Sequence, residues 1–227
     1  TRVAQQVLQE KGQGRTLPTS IAAIADGEYV EVALLKTEKR FEGRLELVRG
    51  KPTVFLNTHG RSLDDPRVRF TLGHELGHYF MHRQLLKLSG PFHDQTFRFS
   101  AETVQREREA NEFASECLLP TALVLEHLRG SVLQLSVVEA LAARAQASLQ
   151  ATAIKVAELA SARCCFFWEV DGQLMWSASS DDWRESYFPW SAWHGQRVPS
   201  QSKAAMTSDS FAEATVEKSV WCPHARD

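Results

Sequence analysis

The chain has 227 residues, of which 43% are hydrophobic, so it can bury a sizeable core in one large domain or two smaller ones. Lys and Arg number 26 against 28 Asp and Glu, and the formal net charge of -2 gives no global field that favours DNA, RNA or an anionic membrane. The apolar stretches fall short of the roughly 20 residues that cross a bilayer, and four cysteines are too few for a disulfide scaffold, so we expect a reduced, cytoplasmic protein.

The first part of the chain predicts two short helices followed by a small sheet. Apolar residues recur at helical spacing from Val3 to Leu8, and a second helix is predicted to begin near Pro18. Three short runs of alternating or β-branched residues follow, at 28–35, 43–49 and 52–57. They predict an antiparallel sheet with a hairpin at the glycine between the last two runs.

Two longer helices are predicted after this sheet. Asp65 can cap the first of them, Pro66 suits its first position, and apolar residues then recur every fourth position. A loop is predicted over 83–100, and the second helix runs from Ser100 to about Leu118.

The remainder of the chain predicts a helical segment and a tryptophan-rich end. Helices at 135–145 and 148–159 are joined by a short turn. All six tryptophans lie at position 168 or beyond, among glycines and prolines, which predicts a small mixed domain with short strands.

The first long helix contains the sequence His74-Glu75-Leu76-Gly77-His78. Residues four apart lie on one face of a helix, with Cβ atoms about 6 Å apart, so both imidazoles can bind one tetrahedral zinc ion. Glu75 can then take the proton from the water that attacks an amide carbonyl. Such a short motif also arises by chance, but its position in an independently predicted helix favours the metal site.

A zinc peptidase needs a third protein ligand and an open fourth position. Spacing alone does not choose among the acidic residues of the next helix, and most of them form a charged surface: Glu102, Glu107, Glu109, Glu112 and Glu116. His82 continues the series of histidines, but its spacing does not fit a metzincin ligand, so we interpret it as a residue that supports or lines the site.

Two blocks of sequence, taken together, resemble a known family. The blocks are Phe70-Thr71-Leu72-Gly73-His74-Glu75-Leu76-Gly77-His78-Tyr79-Phe80-Met81-His82 and Glu107-Arg108-Glu109-Ala110-Asn111-Glu112-Phe113-Ala114, the latter followed by Cys117-Leu118-Leu119-Pro120. This pairing is similar to the ImmA/IrrE family of bacterial metallopeptidases. In that family the Glu directly before Ala-Asn is the third zinc ligand, so the resemblance implies that Glu109 binds zinc beside His74 and His78.

The resemblance implies an α+β, zincin-like fold over about the first 130 residues. We therefore predict a zinc metallopeptidase domain at 1–130, a helix-turn-helix-like helical segment at 131–162 and a Trp-rich domain at 163–227. Members of the family cleave a helix-turn-helix repressor and so release stress-response or mobile-element genes. The implied function is a site-specific, zinc-dependent endopeptidase with such a repressor as its protein substrate.

Two other functions compete with this one. A DNA-binding regulator would use residues 133–159, but these offer only Arg144 and Lys155 against two glutamates, so no direct nucleic-acid binding is expected. A non-catalytic interaction protein would use the Trp-rich region and a structural zinc. Glu75 argues against that, because a structural zinc has no use for an acid there.

Overall fold

The computed structural model describes residues 2–38, 40–89, 101–186 and 195–200 of the chain. The chain divides into two compact units, residues 1–152 and 153–227. Helices and small sheets occur together, which confirms the predicted α+β class. The domain boundaries at 130 and 162 stay predictions.

Most of the predicted elements are present. The first unit contains α1 (Arg2–Glu10), α2 (Ile21–Gly27), β1 (Glu31–Leu35), β2 (Gly43–Val48), β3 (Lys51–Asn57), α3 (Pro66–Ser89), α4 (Ala101–Leu118), α5 (Thr121–Leu128) and α6 (Leu135–Ala145). The boundary between the units lies inside α7 (Leu149–Leu159), which is followed by β4 (Cys165–Val170), β5 (Gln173–Ser179) and α8 (Asp181–Ser186).

The predicted loop over 83–100 was wrong at its beginning, because α3 continues to Ser89. The segment after Arg83 is rich in Leu, Gln and Lys, which are good helix formers, and the first helix-breaking residue is Gly90. Residues 90–100 lie outside the described part of the chain.

The sheet of the first unit has the strand order β1-β3-β2. Strands β2 and β3 form the predicted antiparallel hairpin, and its turn places Arg49 and Gly50 at φ 51° and 82°, as a tight hairpin turn requires. The prediction was wrong for β1, which runs parallel to β3. Local sequence reveals the hairpin but not where a third strand pairs.

Asn57 explains how β1 and β2 come to lie on opposite sides of β3. The segment from β1 to β2 crosses the end of β3 beside Asn57. Nδ2 of Asn57 donates to the carbonyl of Thr37 at 3.0 Å, and Oδ1 of Asn57 accepts from the amide of Thr37 at 3.2 Å. The amide of Asn57 also donates to the carbonyl of Glu42 at 2.8 Å. Strand β3 is therefore central, and β1 and β2 are the edge strands.

The core of the first unit lies between this sheet and α3, which packs against both β2 and β3. Its fully buried residues include Leu45, Val54 and Leu56 from the sheet and Leu76 from α3. Residues of β2 alternate, so Gly43 shares the inner face with Leu45. The first residue of an edge strand is thereby directed at α3.

Buried Arg69 links α3 to the end of α6. Its Nε donates to the carbonyl of Gln146 at 3.1 Å, and its Nη2 donates to those of Thr19 at 2.9 Å and Ala145 at 3.3 Å. A cation at the C-terminal end of a helix satisfies carbonyls that have no partner within that helix. Helix α6 is thus held to the helix that carries the metal motif.

The second unit contains a two-stranded antiparallel sheet, β4-β5, with a register shift between Trp168 and Glu169. These are short strands of the kind predicted for the Trp-rich end. Trp190, Trp193 and Trp221 lie outside the described residues. Within the described parts of the chain, no helix is long and apolar enough to cross a membrane.

Candidate metal centre

The metal motif lies near the middle of α3, and the predicted start of that helix is confirmed. Asp65 Oδ1 accepts hydrogen bonds from the amides of Arg67 at 2.9 Å and Val68 at 3.4 Å, which are free in the first turn of a helix. Pro66 is the first helical residue. The start of the helix is therefore fixed two turns before His74.

Small residues let α3 and α4 approach closely. A Cβ atom added at Gly77 would lie 2.9 Å from Cα of Ala110, and one added at Gly73 would lie 3.2 Å from Cβ of Ala114. Gly and Ala thus face each other at a spacing of four residues on both helices. This close approach brings Glu107, one turn before Ala110, next to the histidines of α3.

We expect Gly77→Ala to destabilise the protein by about 1–3 kcal/mol, because the new methyl group meets the backbone of α4, which cannot rotate away. Its metal affinity should also fall, since any shift of α4 moves Glu107. Gly73→Ala is the matched control, because its closest contact is less severe. Urea unfolding and zinc titration measure the two effects, and equal results for both variants would contradict this account.

Three potential ligand atoms converge between the two helices. Nε2 of His74 and Nε2 of His78 are 3.0 Å apart. Oxygens of Glu107 lie 3.2 Å from the first nitrogen and 3.4 Å from the second. Ligands bonded at about 2.0–2.1 Å to a tetrahedral zinc lie roughly 3.3 Å from one another. Two imidazoles and one carboxylate at these separations fit a zinc ion.

Glu109 lies elsewhere. Its Oε2 is 2.9 Å from Nε2 of His82, and its Oε1 accepts from Gln105 at 2.8 Å. Residues two apart on a helix point about 200° apart, so Glu107 and Glu109 cannot both face His74. The structure brings Glu107 to the histidines and does not bring Glu109.

The other acidic residues of α4 also have separate partners. Glu112 pairs with Arg108 at 2.9 Å on the surface. Buried Glu116 accepts from Thr121 Oγ1 at 2.6 Å and from Gln5 Nε2 at 3.1 Å. Glu102 lies in the first turn of the helix. These three residues therefore belong to the ends and the surface of α4 rather than to a metal site.

Asn111 orients His74. The two residues meet through Nδ1 of His74 and Oδ1 of Asn111 at 2.9 Å. Since an amide oxygen only accepts, Nδ1 carries the hydrogen and, in the neutral ring, Nε2 keeps a lone pair for a metal. Glu107 and Asn111 are four apart on one face of α4, a spacing in the sequence that could have identified Glu107.

Glu75 is buried, at 6% exposed, on the side of α3 that faces the sheet. Strand β2 contacts it at Gly43, where an added Cβ atom would lie 2.7 Å from Oε1 of Glu75 and 2.5 Å from Cγ2 of Thr71. The edge strand β2 therefore begins against the carboxylate of Glu75.

The carboxylate of Glu107 dominates the electrostatics of the site. Hydrogen bonds from His74 and His78 hold the pKa of the Glu107 carboxyl well below its usual range, so this group stays ionised. Burial lowers the pKa of His78, and Glu107 offsets this only in part. Burial also lowers the pKa of His74, but Glu107 and Glu75 reverse the effect and the net pKa is raised.

Comparisons with known proteins bear on the fold and the family of the chain. No curated protein matches the chain. A solved structure described as a Mycobacterium tuberculosis transcriptional regulator is similar, with a TM-score of 0.51 and 16% identity, over 78% of this chain and 54% of that one. The chain thus spans about half the length of that protein, and at this identity the likeness shows the fold alone.

The sequence profile of the peptidase M78 family, described as the IrrE N-terminal-like domain, matches residues 30–157. The match includes both helices of the metal centre and covers more than half of the chain. It confirms the resemblance found in the two sequence blocks, and with it the zincin-like type of fold. The chain belongs to the IrrE N-terminal-like family of metallopeptidases.

Proposed function

We propose that the chain is a zinc-dependent endopeptidase in which His74, His78 and Glu107 hold the metal and Glu75 is the general base. The observation that carries this proposal is the convergence of two imidazole nitrogens and one carboxylate oxygen beside a buried glutamate. A mixed nitrogen and oxygen set with three protein ligands is typical of catalytic zinc. A zinc ion bound there would act as a Lewis acid that polarises the scissile carbonyl of the substrate and lowers the pKa of a bound water.

Glu75 performs the proton transfers. It adjoins His74 in the sequence and is not one of the three residues of the ligand cluster, so we assign the role of base to its carboxylate. It takes the proton of the attacking water and returns it to the leaving amine. Contact with Gly43 limits the space on its sheet side and so restricts where the carboxylate can lie.

Strand β2 is the proposed binding edge for the substrate backbone. It is one of two edge strands in its sheet, and it begins beside Glu75. An extended segment that adds to this edge gains main-chain hydrogen bonds, and its scissile carbonyl would lie near the base. A folded domain rarely offers such a segment, so the cut is expected in an accessible loop or linker.

A small helix-turn-helix repressor is the proposed substrate, whose cleavage would derepress stress-response or mobile-element genes. The resemblance to ImmA/IrrE peptidases supports this choice. Backbone pairing gives little sequence preference, so selectivity requires surfaces outside the cleft. The β4-β5 hairpin offers exposed apolar side chains for this purpose at Trp168, Val170 and Met175.

Direct DNA binding is disfavoured as the function. Of the two cations in the 133–159 segment, Lys155 is only 8% exposed, and Nη1 of Arg144 lies 3.0 Å from Nδ1 of His127. Phosphate contacts need accessible cations. The buried residues of this segment are instead mostly alanine and valine, with Leu141, and these suit packing between helices.

The test is to incubate the zinc-loaded protein with helix-turn-helix regulators encoded beside its gene, and to read the products by mass spectrometry. We expect one cut in one regulator, no cut after chelation of the metal, and little degradation of casein. Broad degradation of casein would contradict a selective enzyme. Absence of any cut in these regulators, with zinc bound, would contradict the repressor as substrate.

A further inference from the structure

A hydrogen-bonded chain leads from His78 to the surface. Nδ1 of His78 lies 3.1 Å from Nδ1 of His82, and Nε2 of His82 lies 2.9 Å from Oε2 of Glu109. His78 and His82 are buried, at 3% and 8% exposed, whereas 38% of the Glu109 side chain is exposed. Gln105 holds the other oxygen of Glu109 at 2.8 Å.

Metal binding allows only one arrangement of hydrogens along this chain. If Nε2 of His78 binds the metal, its Nδ1 carries the hydrogen and donates it to Nδ1 of His82. His82 then carries its own hydrogen on Nε2 and donates it to Glu109. Every donor has an acceptor, and the chain ends on a carboxylate.

The opposite arrangement is incompatible with the site. If Nδ1 of His82 were the donor, the hydrogen of neutral His78 would move to Nε2, where it would block the metal. Nε2 of neutral His82 would also become an acceptor facing the Glu109 carboxylate, and two acceptors at 2.9 Å repel each other.

We propose that His82 and Glu109 are positioning residues that fix His78 in the tautomer and orientation required of a metal ligand. This proposal rests on the proposed metal site. It also gives a role to Glu109, which acts on the metal through two histidines rather than by direct contact. His74 has the shorter equivalent, its hydrogen bond to Asn111. Loss of such outer partners typically weakens metal binding about 10–100-fold.

The test measures zinc affinity of the full chain by competition with a chelating dye. His82→Leu removes the acceptor and should weaken binding about 10–100-fold. His82→Asn places an oxygen where Nδ1 stood and should recover most of the affinity. A residue that only filled space would show the opposite order, because Leu suits a buried site better than Asn. Stronger binding by His82→Leu than by His82→Asn would overturn the proposal.

Variants of the acidic residues complete the test. Glu109→Leu should weaken zinc binding several-fold, Glu109→Gln should bind nearly as wild type because it keeps an acceptor, and Glu112→Leu is the control with no change. Glu107→Ala should lose far more affinity than any of them. If Glu109→Leu lost as much zinc affinity as Glu107→Ala, Glu109 would be a direct ligand and its proposed positioning role would be refuted.

These measurements distinguish failure of the proposed metal site from failure of the proposed positioning role of His82 and Glu109. If Glu107→Ala binds zinc as wild type, the proposed metal site is wrong. If Glu107→Ala loses zinc while His82→Leu stays within about twofold of wild type, the site stands and only the positioning role is refuted.

Discussion

Glu75→Gln should abolish proteolysis while the protein still binds zinc near wild-type occupancy. Gln has nearly the shape of Glu but cannot accept the proton of the attacking water, so the general-base contribution of about 10²–10⁴-fold is lost. The proposed ligands His74, His78 and Glu107 are unchanged, so metal content is expected to stay the same. Metal analysis and a cleavage assay on one preparation measure both quantities.

Glu112→Gln is the matched control for this variant, since Glu112 lies on the surface of α4 and pairs with Arg108. It should keep both zinc and activity. Wild-type cleavage by Glu75→Gln would remove the enzymatic interpretation of the motif. Loss of zinc from Glu75→Gln would instead indicate that Glu75 supports the metal.

The parts of the site that follow from local sequence could be predicted. Asp65 and Pro66 mark the start of α3, and the spacing of His74 and His78 on that helix brings their rings together. Both features depend on hydrogen bonds and geometry within a few residues. They need no knowledge of which element packs against the helix.

The carboxylate that meets the two histidines could not be read from local sequence in the same way. Spacing in the sequence does not distinguish among the several glutamates of α4. Which of them meets the histidines depends on how α4 is rotated against α3. That rotation is set by contact of Gly73 and Gly77 with Ala110 and Ala114, which is a tertiary interaction. The family resemblance pointed to Glu109, two residues from the carboxylate that the packing selects.

The direction of β1 is a similar case. The alternation of its residues predicts a strand, but alternation is the same for parallel and antiparallel pairing. What decides is the crossing segment held by Asn57, whose bonds join residues about twenty positions apart. Within the described residues, β2 is therefore an edge strand that begins beside Glu75, whereas in an antiparallel meander it would lie between β1 and β3.

Gly43 is the residue at which this edge meets Glu75, the proposed base, and the importance of its missing side chain can be tested. A methyl group added there would lie 2.7 Å from Oε1 of Glu75 and 2.5 Å from Cγ2 of Thr71, closer than real Cβ contacts. Either Glu75 rotates or β2 moves away from α3. Both responses separate the base from a substrate paired along β2.

We therefore expect Gly43→Ala to lower kcat about 100-fold, because a displacement of about 1 Å in a catalytic group costs a factor of that order. Zinc affinity should stay within about twofold of wild type, since the atoms nearest to the new methyl group belong to Thr71 and Glu75 and not to the three proposed ligands. Gly27→Ala is the control, because the new methyl group there meets the flexible side chain of Lys11.

Adding Thr71→Ser to Gly43→Ala separates the two contacts of the new methyl group, with Thr71 and with Glu75. Gly43→Ala should also lower stability in urea, and the part of this loss that comes from Thr71 should recover, because serine keeps a hydroxyl for the Arg67 carbonyl and removes the methyl group at 2.5 Å. Cleavage should stay slow, because the clash with Glu75 remains. Recovery of cleavage together with stability would mean that Gly43 serves packing alone, and loss of zinc from Gly43→Ala would mean that β2 supports the metal ligands rather than the base.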